Sequence, residues 1–147
     1  MMNMVVRLML SNANLTLYNK YVDPATRLEK YQRTEIVGIV WQGRKAANGL
    51  RSGLLASNSV AVYIPFQRDA NYVQPIAWQA LTTKTGKWTL AEGDVIVKGL
   101  VADEITTSPA FTMTNLKAKY DNVLTITSVD TMDMGSANMQ HWQIGAK

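Results

Sequence analysis

The stretch that decides the fold class is RTEIVGIVW, residues Arg33–Trp41. Its apolar residues fall at both odd and even positions, so a strand built from it would be apolar on both faces. A strand with one face in water would instead show a clean alternation of apolar and polar residues. We therefore expect Arg33–Trp41 to be a central β-strand.

Five further segments have the length and patterning of strands. In NVLTITSVD, Leu124 and Ile126 alternate with threonines, which predicts one face in the core and one face in water. In NMQHWQIG the alternation places Trp142 and Ile144 inward, with His141 and Gln143 outward. The five segments are LTLYNK (15–20), SVAVYIPF (59–66), DVIVKG (94–99), NVLTITSVD (122–130) and NMQHWQIG (138–145).

Helical signals are few. FTMTNLKAKYD has an N-cap candidate at Thr112 or Thr114 and predicts one helix of about two turns. DPATRLEKYQ fits either a helix beginning after Pro24 or a turn. Two long connections remain, 42–57 and 67–86, and Pro75 argues against a secure element in the second. We predict an all-β protein: a small β-barrel or sandwich of about six strands, with one short helix and two long loops.

Length and composition indicate one domain. The 147 residues, 47% of them hydrophobic, suffice for one core. We expect a single domain over 1–147, in which residues 1–12 are either an extension outside the core or a first strand. The chain has no cysteine, which excludes disulfides, thiolate metal sites and thiol nucleophiles. The opening MMNMVVRLML is interrupted by Arg7 and is shorter than the roughly 20 residues of a membrane span, so we expect a cytoplasmic product that does not enter a membrane.

Positive charge is concentrated in the first third of the chain. Eight basic residues face three acidic ones up to Arg51, and seven face eight afterwards. Lysine and arginine supply phosphate contacts in nucleic-acid complexes, although such an excess is more often a solvated face or a protein contact. The long loop from Gln42 concentrates Arg44, Lys45 and Arg51, which are therefore our candidates for contact with a polyanion such as DNA, or with a negatively charged partner.

No catalytic or metal-binding set stands out. His141, the sole histidine, has no serine or carboxylate beside it in sequence. Asp130 and Asp133 flank a loop but lack the spacing of a calcium site. The glycine pattern of a phosphate-binding loop is missing around Gly86. We predict no enzymatic activity, no cofactor and no metal.

The four tryptophans divide into two pairs. We expect Trp41 and Trp142 to cap the core, because both belong to strands. Trp78 and Trp88, together with Tyr72, occur in or beside loops, where a protein interface is as plausible as core packing. Stacking on single-stranded nucleic acid is the competing use of exposed aromatic residues. We predict a subunit or partner interface formed by Tyr72, Trp78, Trp88, His141 and Gln143.

The order of these landmarks resembles a family of small proteins encoded among the virion structural genes of tailed phages and prophages. The resemblance rests on NLTLYNKYVDPATRLEKYQRTEIVGIVW, SVAVYIPF, GKWTLAEGDVIVKG and VLTITSVDTMDMGSANMQHWQIG, which cover most of the chain from Asn14 onward. The closing strands are also similar to the small β-barrel of head-completion (stopper) proteins in the head–tail connector.

The resemblance implies a virion protein of the neck, made in the host cytoplasm, that joins head to tail and surrounds or retains the DNA. Its expected partners are further copies in a ring of about 6 or 12, portal, adaptor or tail proteins, and genomic DNA contacted without sequence specificity. A tail terminator or a minor capsid or decoration protein is the alternative. A soluble module that binds nucleic acid or carbohydrate is the alternative from another class.

Overall fold

The computed structural model describes residues 11–46, 57–66, 71–107, 110–136 and 139–147. Eight of the ten elements in this part of the chain are antiparallel strands, and the two helices are short. In chain order the elements are β1 Ala13–Val22, β2 Glu29–Ala46, β3 Ser57–Pro65, α1 Pro75–Gln79, β4 Val95–Lys98, β5 Thr106–Thr107, β6 Ala110–Phe111, α2 Met113–Lys119, β7 Val123–Met132 and β8 His141–Ala146.

Six of the strands close into a barrel. The order around it is β1-β2-β3-β8-β7-β4, and β4 pairs back with β1. All six strands predicted from the sequence are present, which confirms the all-β class. β2 pairs with a neighbour on each side, as expected for a central strand.

Two long strands form the corners of the barrel. The first half of β2 pairs with β1 up to Ile39, and its second half, from Val40, pairs with β3. Gly38 lies at this transition with φ 77, a backbone conformation that L side chains rarely adopt. In β7 the register shifts between Ile126 and Ser128, so Thr127 is an extra residue that bends the strand as β7 passes from β4 to β8.

The barrel interior is the main hydrophobic core. Trp41 and Trp142 belong to it and are 7% and 6% exposed, which confirms their predicted role. The alternation in β8 is also as predicted, because Trp142 and Ile144 are buried while His141 and Gln143 are only half-buried. The other buried members are Leu15, Leu17, Ile36, Ile39, Val62, Ile64, Trp88, Leu90, Ile96, Ile126 and Ala146.

A second core covers the outside of the barrel. Tyr18, Val95 and Val97 point away from the barrel interior and pack with Leu116 of α2. The predicted helix is α2, and its N-cap is Thr112, whose hydroxyl accepts from the Asn115 N–H while the Asn115 side chain accepts from the Thr112 N–H. The excursion from β4 to β7 is therefore a cover for one wall of the barrel.

The connections differ from the sequence-based picture in three places. The second predicted loop contains helix α1, because Pro75 occupies its first turn, where no N–H is needed. The first predicted loop is partly strand, since β2 extends to Ala46 and β3 begins at Ser57. DPATRLEKYQ is a turn followed by β2, with Arg27 at φ 62.

The start of the chain belongs to the fold from Asn12. The Asn12 N–H donates to the Ile39 carbonyl, and its side chain bonds to both the N–H and the carbonyl of Trp41. Whether the residues before Asn12 form an extension or a first strand stays a prediction. Residues 1–10 lie outside the described part of the chain.

Candidate functional site

The aromatic residues predicted to form an interface are mostly internal. Trp88 is fully buried, and its ring meets Tyr72 at 5.2 Å and Trp142 at 5.5 Å, both edge to face. Tyr72 is half-buried and lies 4.3 Å from the Trp142 ring. The prediction that Trp88 meets a partner is wrong, because it fills one end of the barrel interior.

Trp78 is likewise fully buried, so its assignment to an interface is also wrong. Its indole N–H donates to the Lys87 carbonyl at 3.1 Å, and its ring packs edge-on against Tyr21 at 5.8 Å. The ammonium of Lys84 lies 5.2 Å from the Trp78 ring and also donates to the Leu81 carbonyl at 2.8 Å. Helix α1 thus holds its segment onto the barrel through Trp78. Pattern reasoning missed this because it treated Pro75 as a helix breaker.

His141 and Gln143 lie on the outer face of β8. The His141 Nδ1 is 2.9 Å from the Met139 carbonyl, and its ring is 5.5 Å from Tyr63 on β3. β8 pairs with β3 on one side and β7 on the other, so only this face can meet another molecule. Contact of His141 and Gln143 with a neighbouring subunit stays a prediction.

Two of the candidate DNA-facing residues lie in the β2–β3 hairpin. Arg44 pairs with Ser59 and Lys45 with Asn58 across the hairpin. β1 pairs with β2 only as far as Ile39, and β8 pairs with β3 only from Val60. The hairpin therefore extends past both neighbouring strands in the described part of the barrel. Arg51 lies outside the described residues.

One buried carboxylate links β1 to the turn before β4. Asp94 accepts from the Asn19 side chain at 2.8 Å and from the Lys20 N–H at 3.0 Å, and Asn19 also donates to the Thr89 carbonyl at 2.7 Å. Burial raises the pKa of the Asp94 carboxyl above its ordinary value, against the opposing effect of these hydrogen bonds. The group serves to tie the segment 88–94 to β1.

A second polar network fixes the outer cover. Asp103 accepts from the Tyr120 hydroxyl and from Lys119, and these bonds hold the pKa of Asp103 below its usual value. The Tyr18 hydroxyl donates to the Asp103 carbonyl at 2.6 Å, and Arg33 donates to the Val101 carbonyl and to Glu104. These ionisable groups join the cover to the barrel wall.

Two open depressions, of about 610 and 590 Å³, lie on the surface of the described residues. The first includes Asp23, which is paired with Lys30 at 2.8 Å, and Lys84, which is bonded as described above. The second is lined by Tyr31, Ile105, Met113 and several threonines. In the ranges that the structure describes, no three histidine, aspartate or glutamate side chains come together as metal ligands. No helix there is long and apolar enough to cross a membrane.

Exposed apolar side chains gather at the β7–β8 hairpin. Met132, Met134 and Met139 are 39%, 82% and 51% exposed, and they flank Gly135 at its tip. Sequence reasoning identified this hairpin loop but did not use its methionines, which were the available signal. Large exposed apolar residues that cluster mark contact surfaces more often than scattered ones do.

The chain belongs to a family of unknown function (DUF6751), whose family model matches residues 10–147. No curated protein and no solved structure matches the chain significantly. The family therefore covers the whole barrel with its outer cover.

Proposed function

We propose that the protein is a structural subunit of a tailed-phage virion, which assembles with further copies into a ring in the head–tail connector. A ring of about 6 or 12 copies would surround or retain the DNA and join head to tail. Tail terminator and minor capsid roles are variants of the same assembly class. The resemblance of the strand-bearing segments to virion proteins motivates this proposal.

One observation carries it: the basic β2–β3 hairpin extends past the barrel. Arg44 and Lys45 lie where β2 has no partner except β3 within the described residues. Arginine and lysine on a projecting hairpin suit contact with phosphates or with an acidic partner ring, because this attraction needs no sequence-specific readout. The internal polar networks around Asp94 and Asp103 serve the fold, which leaves surfaces as the place for function.

The alternative of a module that binds nucleic acid or carbohydrate loses its basis. It depended on Tyr72, Trp78 and Trp88 being available for stacking. Trp78 and Trp88 are fully buried, and Tyr72 packs on Trp88 and Trp142. We therefore propose the assembly role alone.

The test removes the three basic residues of the hairpin region, as Arg44→Ala, Lys45→Ala and Arg51→Ala in one chain. A matched control removes three exposed lysines elsewhere, Lys87, Lys117 and Lys147. We expect the first variant to fold normally and to lower the yield of DNA-filled infectious particles at least 10-fold. The control variant should have little effect. Normal particles carrying the first variant would contradict the DNA-facing role of the hairpin.

A further inference from the structure

The outer edge of β7 is open beyond its bend. β4 pairs with β7 only up to Thr125, and Gly93 and Asp94 bond to Ile126. The backbone N–H and C=O groups of Thr125 both bond to Lys147, at 3.0 and 3.1 Å, so they point toward β8. Along an antiparallel strand the backbone groups of successive residues point alternately toward one neighbouring strand and the other. Thr127 is an extra residue in this alternation. When it is taken into account, the backbone N–H and C=O groups of Val129 and Thr131 point away from β8. No backbone hydrogen bond in the described part of the chain meets them on that side.

Side-chain exposure agrees with an open edge. Thr131 pairs with Trp142 and so lies on the core side of the sheet, yet it is exposed while Trp142 is buried. Val129, also on the core side, is half-buried. Natural sheets protect free edges with charged side chains, proline or a covering element, and 128–132 contains no proline and one charged residue, Asp130. This edge can therefore accept an added strand.

We propose that residues 4–10 of a second copy of the chain add a strand to this edge. The segment MVVRLML lies outside the described residues, and its alternate residues Met4, Val6, Leu8 and Leu10 are all apolar. In an extended conformation these four would share one face, and Arg7 would lie on the other face between Val5 and Met9. On the edge, Val6 and Leu8 extend the apolar side beside Val129, while Arg7 lies on the outer side with Asp130.

The segment must come from another copy because its own cannot reach. The pairs Trp41–Val62, Val62–Ile144 and Ile144–Val129 form one row across β2, β3, β8 and β7. Asn12 bonds to Trp41 from the opposite side, so a strand added beyond β7 lies five strand spacings from Asn12, about 24 Å along the barrel wall. The other way round the closed barrel, Thr125 pairs with Val95 and Val95 with Tyr18, so that route meets β1 six residues from Asn12. Three residues separate position 9 from Asn12 and span at most about 11 Å. A contact between two different surfaces also suits a ring.

This inference rests on the proposed homo-oligomer, and native mass spectrometry of the full chain tests it. We expect an oligomer for the wild type and at least 10-fold weaker association after deletion of residues 1–10. Thr131→Pro removes an outward N–H without removing a bond to β8, and we expect the same loss. Thr131→Ala is the matched control and should associate normally. Circular dichroism verifies that each variant folds.

Cysteine cross-linking identifies the contact directly, because the chain has no cysteine of its own. Val6→Cys with Thr131→Cys, in a mixture of ¹⁴N- and ¹⁵N-labelled copies, should yield disulfide-linked peptides that join one label to the other. Val6→Cys with Thr114→Cys is the control and should not. A monomeric wild type, links only within one copy, or an oligomer unaffected by both the deletion and Thr131→Pro would each overturn the inference.

The outcome is separable from that of the proposed function. If virions contain the protein but its ring forms without residues 1–10, the strand addition is wrong and the virion role stands. If copies cross-link through residue 6 but virions lack the protein, the strand addition stands and the virion role is wrong.

Discussion

Replacing Trp88 by alanine tests whether the loop after α1 closes the barrel or presents a binding surface. Trp88 is fully buried and packs edge-on against Tyr72 and Trp142. Truncating a buried tryptophan to alanine costs about 3–5 kcal/mol, because the transfer free energy of the ring is lost and a cavity remains. Typical domains have a free energy of unfolding of about 5–15 kcal/mol, so the loss is a large part of the total.

Urea unfolding followed by far-ultraviolet circular dichroism measures this change. With a denaturant slope of about 2 kcal/mol per M, the midpoint should fall by about 1.5–2.5 M. The matched control is Ile76→Ala in α1, where the side chain is 88% exposed and the change should stay within about 0.5 kcal/mol. A loss below about 1 kcal/mol for Trp88→Ala, with weaker binding to a partner, would refute the assignment of Trp88 to the core.

Three further predictions concern the corner, the buried carboxylate and the helix cap. Gly38→Ala should lower the free energy of unfolding by about 1 kcal/mol or more, because the residue has a positive φ. The control is Gly43→Ala, where an added Cβ meets nothing within 4 Å and the free energy should not fall in this way. Equal effects of the two substitutions in urea melts would contradict the strained corner. Burial raises the folded-state pKa of Asp94, so the folded wild type binds protons more tightly than the unfolded chain. Its stability relative to Asp94→Asn should fall as pH rises from about 4 through the folded pKa, and a pH-independent difference in urea melts would refute this. Thr112→Ala should cost about 1 kcal/mol by thermal unfolding while the exposed Thr114→Ala costs little, and the reverse order would show that the cap is elsewhere.

The length and apolar patterning of the segments were sufficient to find all six barrel strands, and alternation was sufficient to find the inward face of β8. Alternation predicts burial in β8 because successive side chains of a strand point to opposite faces of the sheet, so Ile144 must lie on the same face as Trp142. The closure of the barrel was not decided by the same reasoning, since it depends on pairing between β4 and β1, which are distant in sequence. The second core was missed for a related reason: Tyr18 and Val97 face outward and are covered only because the excursion with α2 folds back.

The candidate site was predicted less well than the fold. Trp78 and Trp88 were assigned to a surface because they occur in a segment without strand periodicity, but irregular segments also bury large side chains when they close a barrel. Arg44 and Lys45 were assigned to a loop but lie on β2, where it pairs with β3 beyond the end of its pairing with β1. The open edge of β7 was not foreseen, because a strand's unpaired side depends on where its neighbour ends and leaves no pattern in its own residues.

Quantitative mass spectrometry of purified virions tests the central claim most directly. Phage particles produced from a genome that encodes this protein should contain it at a fixed number of copies per particle, normalised to a virion protein of known copy number. The proposed connector ring predicts about 6 or 12 copies, because a closed ring fixes its own stoichiometry. Hundreds of copies would indicate a decoration protein, and the absence of the protein from infectious particles would contradict the proposed function.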